Sequence, residues 1–348
     1  MKSSGRRVSQ QKIAADLGVS QALVSLVLNG KRENISRESY ERIWNYALKL
    51  GYRPKGMQAS GNHLATQNVG FILRAGLRLH TQSNFFSHVQ HGLHEGLLAH
   101  GYHSVFLGSE DDLGVRALQQ KLREHHLFGL AILGQVQEKF LKAIKSAQEN
   151  IVAISVSYPG LCHSVMPNEN QALRQLVEHL LGLGHREFAW LGGDKGLHYN
   201  IRRRAALLDA MEPHGIKPQP KFMVDIDAGD RLAGWRSAET MIERMGKKSF
   251  PTAWVCANGL MARGAVNCLT QKGWRVPEQI SVVAVDATRV CVEEHPQITG
   301  AHADPEKIGG KAAELLLKKT RETDESLADV IMPTQLTVRE TSGPARPV

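Results

Sequence analysis

The chain of 348 residues is poor in the groups that covalent cross-links and metal sites need. Its four cysteines, Cys162, Cys256, Cys268 and Cys291, are scattered, with no CxxC pair and no metal-ligand spacing. That pattern argues against a disulfide framework or a zinc module and fits buried thiols in a reducing compartment. No apolar run approaches the roughly 20 residues that cross a bilayer. The opening MKSSGRRVSQQK is basic but lacks an apolar segment behind it, so no secretory leader, no membrane partner and a cytoplasmic address are expected. A glycine-rich phosphate or dinucleotide loop is missing after the first strand-like run, and so are GxSxG, HExxH and paired Cys/His signatures; neither a cofactor nor an enzyme is expected. His88, His91 and His94 recur every third residue. That spacing drifts around a helix and has only Glu95 beside it, which is a poor metal cage.

Charge is present, and it is unevenly placed. The formal net charge is +9. Residues 1–62 hold 11 Lys and Arg against 4 Asp and Glu, a net of +7, whereas the remaining 286 residues carry 32 against 30. A cationic excess confined to the first sixth of the chain points to a polyanionic partner, most simply nucleic acid.

The stretch KIAADLGVSQALVSLVLNGKRENIS, residues 12–36, lies inside that basic segment. Ser9 can cap a helix bearing Ile13, Ala14 and Leu17, Gly18 can end it in the left-handed conformation, and Ser20 can cap the next helix. In that second helix, expected from about Gln21 to Asn29, Leu23, Val24, Val27 and Leu28 share one face. Gln21, Ala22, Ser25, Leu26 and Asn29 share the other. A third helix is expected from Ser36 to about Leu50, with Tyr40, Ile43, Ala47 and Leu50 at helical spacing. Three such helices suit either a helix-turn-helix unit, whose second helix enters a major groove, or a plain three-helix bundle; the basic excess favours the first.

From residue 67 onward, short apolar runs such as NVGFIL, GLAILG, FAWLGG, TAWVC and ISVVAVD alternate with amphipathic helical stretches. Two such series imply two α/β lobes built on parallel sheets. In such sheets ligands lie beyond the carboxyl ends of the strands. Those ends supply Arg74, Ser109, Gln135 and Ser157 in one lobe, and Gly193, Asp227, Asn258 and Asp286 in the other. Trp190 and Trp254 read as core, and Trp235 as core or cleft edge.

KIAADLGVSQALVSLVLNG resembles the N-terminal signature of the LacI/GalR family of bacterial transcription regulators, and GYRP at 51–54 resembles that family's exit from its third helix. NFFSHVQHGLHEGLLAHGY, HLLGLGHREFAWLGG, PTAWVCANGLMARGA and GWRVPEQISVVAVDA resemble its body motifs, so the likeness spans roughly residues 8–342. The resemblance implies a fold of a helix-turn-helix head and a body of two Rossmann-like subdomains similar to periplasmic sugar-binding proteins. Its expected parts are a head at 1–52, a hinge at 53–66 and a body at 67–340, with a tail at 341–348. Lobe 1 is expected over 67–166 and 296–326, and lobe 2 over 167–295 and 327–340.

The same resemblance implies a homodimer on a near-palindromic operator, with DNA contacts from Ser20, Gln21, Ala22, Ser25, Leu26, Asn29, Lys31, Arg32, Arg53, Lys55 and Met57. Arg203, Asn258 and Asp286 match its effector-binding positions, and Arg74, Gln135 and Asp227 join them from the strand ends. The chain departs from the pattern at Gly61, where a minor-groove leucine is usual, and at Gly259 and Ala287, where aspartates are usual. The expected function is a ligand-responsive regulator, more often a repressor, with a sugar as first candidate ligand and a purine or other metabolite open. A solute-binding module without DNA reading, and a sugar- or nucleoside-processing enzyme, are the alternatives.

Overall fold

The computed structural model describes residues 9–28, 35–49, 67–77, 84–124, 127–245, 250–286, 288–318 and 327–346. The chain divides into two units, Met1–Thr66 and Gln67–Val348. Of the expected DNA contacts, Asn29, Lys31, Arg32, Arg53, Lys55 and Met57 lie outside the described residues, as do the 53–66 hinge and Ala287.

The first unit is built from three helices, α1 (Gln10–Leu17), α2 (Gln21–Leu28) and α3 (Arg37–Lys49). Ser9 accepts from the Lys12 amide at 3.1 Å, and Gly18 ends α1 at φ 65. Only glycine takes that backbone without penalty, which fixes the tight turn into α2. Ser20 then caps α2 through the Leu23 amide at 3.2 Å. Ile13, Ala14, Val24, Val27, Leu28, Ile43 and Ala47 form one buried cluster. Two polar ties hold α3 to α1: the Arg42 guanidinium donates to the Leu17 carbonyl at 2.9 Å, and the Tyr46 hydroxyl donates to Asp16 at 3.0 Å.

The second unit holds two six-stranded sheets. In chain order its elements begin with β1 (Asn68–Leu73), α4 (Asn84–Leu98), β2 (His103–Ser109), α5 (Val115–Glu124), β3 (Gly129–Leu133), α6 (Glu138–Lys145), β4 (Ile151–Ile154) and β5 (His163–Pro167). There follow α7 (Glu169–Gly182), β6 (Phe188–Gly192), α8 (His198–Met211), β7 (Met223–Asp225), α9 (Arg231–Arg244), β8 (Ala253–Cys256), α10 (Gly259–Gln271) and β9 (Ser281–Ala284). Last come β10 (Thr299–His302), α11 (Pro305–Lys318), β11 (Asp329–Met332) and β12 (Gln335–Thr337).

Lobe 1 has the strand order β11-β5-β4-β3-β1-β2, all parallel, and lobe 2 the order β12-β10-β9-β8-β6-β7, parallel except for antiparallel β12. Central strands such as β3 and β4 are buried at every residue, as sheets covered on both faces require. Trp190 and Trp254 are both fully buried in the lobe 2 core, and Trp235 packs partly buried against it.

Strand pairing corrects the expected division between lobes. Thr299–His302, expected in lobe 1, pairs with β9 in lobe 2, and Asp329–Met332, expected in lobe 2, pairs with β5 in lobe 1. The chain therefore crosses between lobes after β5, between β10 and α11, and between β11 and β12. The pieces HSVMP and TGAH carry too few apolar residues to announce themselves as strands, and their partners supply what their sequences lack. Residues 341–346 are not a loose tail. Thr341 is buried and donates to the Val282 carbonyl at 2.6 Å, the Gly343 amide donates to Ser281 at 3.0 Å, and the Ala345 amide donates to the Leu183 carbonyl at 2.7 Å.

Each lobe contains one helix pair in glycine-to-backbone contact. A Cβ on Gly92 of α4 would strike the Glu306 carbonyl, and one on Gly309 of α11 would strike the Val89 carbonyl. Gly234 of α9 and Gly264 of α10 meet Met261 and Arg231 in the same way. Backbone cannot move aside like a flexible side chain, so Gly309→Ala must push α4 and α11 apart. The expected loss is about 1–3 kcal/mol, read as a lowered urea midpoint with an unchanged slope.

Candidate functional site

Two surfaces collect the sequence-predicted site residues, one in each unit. On the head, α2 buries Val24, Val27 and Leu28 and turns Gln21, Ala22 and Leu26 outward. Leu26 is 39% exposed, unusual for a leucine in so small a domain, while Ser25 is half-buried and hydrogen-bonded or otherwise engaged. Ser20 spends its hydroxyl on the cap, which leaves its backbone rather than its side chain for an outside partner. The outward face thus offers one amide, one methyl and one isobutyl group. An amide suits an adenine edge, and the two apolar groups suit a thymine methyl.

In the body, Arg74, Gln135, Arg203, Asp227, Asn258 and Asp286 all line a single cavity of about 400 Å³. Topology explains why. In lobe 1 the strand order reverses direction between β1 and β3, and Arg74 and Gln135 follow those strands; in lobe 2 it reverses between β6 and β8, and Asp194 and Asn258 follow those. The cavity is the crevice between the two switch points. Ser109 and Ser157 do not reach it. Ser109 ends the edge strand β2 and bonds Asp112 at 2.5 Å, and Ser157 bonds Asp329 at 2.8 Å. From lobe 1's β4 it is Ser155, two residues earlier, that lines the crevice.

Arg203 is the most constrained of the six. It is buried on α8, and its Nε donates to Glu169 Oε2 at 2.9 Å while Nη1 donates to the Ala257 carbonyl at 2.5 Å. Asp286 Oδ2 stands 3.9 Å from Nη1, and the guanidinium carbon lies 5.2 Å from the Tyr199 ring centroid. Burial opposes the charge, but Glu169 and Asp286 outweigh it and hold the guanidinium above its ordinary pKa. Burial also pushes the Asp286 carboxyl up, against the pull of Arg203 and of the Gly259 amide, which donates to Oδ1 at 2.8 Å. Asn258 is engaged too. Its Oδ1 caps α10 through the Met261 amide at 2.8 Å, and its Nδ2 donates to the Gly229 carbonyl at 2.9 Å. Gly259 follows it where an aspartate is usual; a Cβ there would sit 2.7 Å from Cys291 Sγ and 2.9 Å from Asp286 Oδ1.

Two contacts cross the cleft. Arg74 Nη2 meets Asp194 Oδ2 at 3.3 Å, and Gln135 Oε1 accepts from the His198 amide at 2.8 Å, capping α8 from the opposite lobe. Tyr199 donates to the same Asp194 oxygen at 2.8 Å; burial first, and Asp194 second, drive its hydroxyl pKa far up, so it stays a donor. One partly exposed ion pair and one neutral hydrogen bond are together worth about 1–2 kcal/mol, a closure that a small ligand can readily shift. Among the described residues only Ser155 (φ 66) and Asp194 (φ 52) are non-glycine residues at positive φ, and both line this cavity. Strain of that kind costs about 1–3 kcal/mol per residue and gathers at ligand clamps. The Ser155 hydroxyl is also buried without a partner.

Sequence reasoning missed Glu169, Tyr199, Phe85 and Phe86, which line the cavity as well. Phe85 and Phe86 open α4 directly after β1 and pack edge to face at 5.1 Å. Their place at the start of the first crossover helix was the available signal, because that end of the helix faces the crevice. Among the described residues no group of three His, Cys, Asp or Glu could hold a metal, and no helix is long and apolar enough to cross a membrane.

Replacing Arg203 with Met leaves Glu169 and Asp286 buried without a cation, and unfolding stability is expected to fall by about 3–5 kcal/mol. Asp286, already raised, rises further in that variant. The penalty for its charge is complete above its folded pKa and fades as pH falls through it, so the deficit shrinks toward acid pH. Denaturant titrations of both proteins across pH test this; a deficit constant with pH would place the cost in packing alone.

Residues 177–342 match the family model for a periplasmic binding protein-like domain. The HTH-type transcriptional repressor PurR of Aliivibrio salmonicida is 25% identical over 316 residues, covering 89% of this chain and 91% of that protein. The lac repressor dimer bound to operator and the anti-inducer ONPF superposes with a TM-score of 0.69 at 23% identity, covering 97% of this chain and all of that one. The transcriptional regulator CelR–cellobiose complex superposes equally well, at 21% identity over 96% of this chain and all of that one. These structural likenesses show a shared fold from head to body. Together with the head signature and the full-length sequence likeness to PurR, they make the chain similar to the LacI/GalR family of bacterial transcription regulators.

Proposed function

We propose that this chain is a ligand-responsive transcription repressor that reads a near-palindromic operator as a homodimer and binds a small metabolite between the lobes of its body. The observation that carries the reading is the division of labour in α2: its apolar face is consumed by the head's own core, leaving Gln21, Ala22 and Leu26 outward on the most basic segment of the chain. A helix so placed has no remaining task inside its domain, and a major groove is the surface that fits it. Repression and dimerisation are supported by the names of the relatives, a repressor in one case and an operator-bound dimer in another. Two recognition helices related by a two-fold axis call for a palindromic site.

Ligand binding acts through the cleft. The cross-lobe pairs Arg74–Asp194 and Gln135–His198 are weak enough to be exchanged for ligand contacts, so a metabolite preferring one lobe arrangement shifts the population. A sugar is the first candidate, in keeping with the cellobiose complex among the structural relatives. Arg203, Asp286 and Asn258 present that ligand with a preorganised wall, since each is held in place by hydrogen bonds within lobe 2.

Selection from a randomised duplex pool at near-physiological salt should recover a two-fold-symmetric site bound at least about a thousandfold more tightly than random DNA. A chain starting at Gln67 should keep its fold and lose all DNA binding. Recovery of sequence-blind binding only, or binding that survives in the shortened chain, would overturn the assignment.

A further inference from the structure

The charge balance of the cleft selects the kind of ligand it accepts. Five carboxylates line the cavity, Glu169, Asp194, Asp227, Asp230 and Asp286, against two arginines. Both arginines already carry acidic partners, so neither adds uncompensated positive charge. Arg203 is buried and paired with Glu169 and the Ala257 carbonyl beside Asp286, and Arg74 is paired with Asp194. Asp230 spends Oδ1 on the α9 cap through the Ala233 amide at 2.7 Å. Asp227, exposed on the loop after β7, makes no ion pair or side-chain hydrogen bond among the described residues, and it lines the cavity.

The opposite wall is aromatic. Phe85 and Phe86 present an edge-to-face pair from lobe 1. A protonated amine gains from both kinds of wall, from the carboxylate by charge and from ring faces by cation–π attraction. An anion gains from neither and meets an excess of like charge in a partly desolvated space.

Resting on the reading of this cavity as the effector site, we propose that the effector is a small ring compound carrying a protonated amine, with Asp227 as its counter-ion, and that the cleft rejects anionic metabolites. Sugar acids and sugar phosphates are thereby excluded and amine-bearing rings favoured over their hydroxyl counterparts.

The test uses the full-length protein and matched sets of one ring in amine, hydroxyl and carboxylate form: glucosamine, glucose and glucuronate, and benzylamine, benzyl alcohol and benzoate. Affinity is read by calorimetry and by thermal stabilisation. Within a set the amine should bind about tenfold more tightly than the hydroxyl form, with the carboxylate weakest. In Asp227→Asn, whose loop position spares the core, the amine-to-hydroxyl ratio should fall to near one. A carboxylate that binds as well as the amine, or an amine preference that persists in Asp227→Asn, would overturn the charge assignment and leave the cleft a binding site. If no member of either set binds or stabilises the protein, the reading of the cavity as an effector site itself fails.

Discussion

The body of this protein depends on where one buried guanidinium puts its hydrogen bonds. Arg203 ties α8 to the first turn of α7 through Glu169, to the end of β8 through the Ala257 carbonyl, and to the loop after β9 through Asp286. Each partner would be costly to bury alone; as a set they compensate one another. Asp286 then passes the constraint on, because its second oxygen holds the Gly259 amide and so fixes the start of α10. The second lobe's whole side of the cleft is assembled around this node. A guanidinium so held orients the site.

Against that rigid wall the contacts between lobes are slight. Arg74–Asp194 and Gln135–His198 are the polar ties across the cleft, with Arg202 to Met166 Sδ at 3.1 Å a further contact between lobes, and Asp194 itself is held at positive φ. Rigid halves, soft contacts and local strain are what a two-state closure requires, since packed cores cannot deform gradually. The unpartnered Ser155 hydroxyl belongs to the same picture, being a polar group whose satisfaction must come from outside the chain.

Much of this was legible in the residues. Gly18, Ser9 and Ser20 announce the turn between α1 and α2 because capping and left-handed backbone are local chemistry. The alternation of buried runs with amphipathic helices announces two parallel sheets, and the rule that ligands lie beyond strand ends brings Arg74, Gln135, Asp227, Asn258 and Asp286 to one cavity, though not Ser109, Ser157 or Gly193; Arg203, on α8, was reached through the family resemblance. What stayed hidden depends on contacts between distant segments. β10 has almost no apolar pattern of its own and β11 lies far along the chain from its partner β5, so their lobes are decided by strand pairing rather than by linear order, and the expected lobe boundaries failed there. Glu169 reads as an ordinary acidic residue in a first helical turn until α8 brings Arg203 against it. Arg203 looks from sequence like a free fork for ligand oxygens; the folded chain gives its Nε to Glu169 and its Nη1 to the Ala257 carbonyl.

The three crossings between lobes impose an order on how the molecule can be made. Lobe 1 lacks α11 and β11 until residue 332 has been synthesised, and lobe 2 lacks β12 until residue 337. A ribosome emitting this chain therefore releases no finished lobe before the last few residues, although lobe 1 begins at residue 68. The head is different, because its described contacts are all made within residues 9–49. It can fold while the body is still an incomplete pair of sheets with open edges. For the time that translation takes, the nascent protein is a formed head trailing aggregation-prone strands, the state chaperones exist to cover.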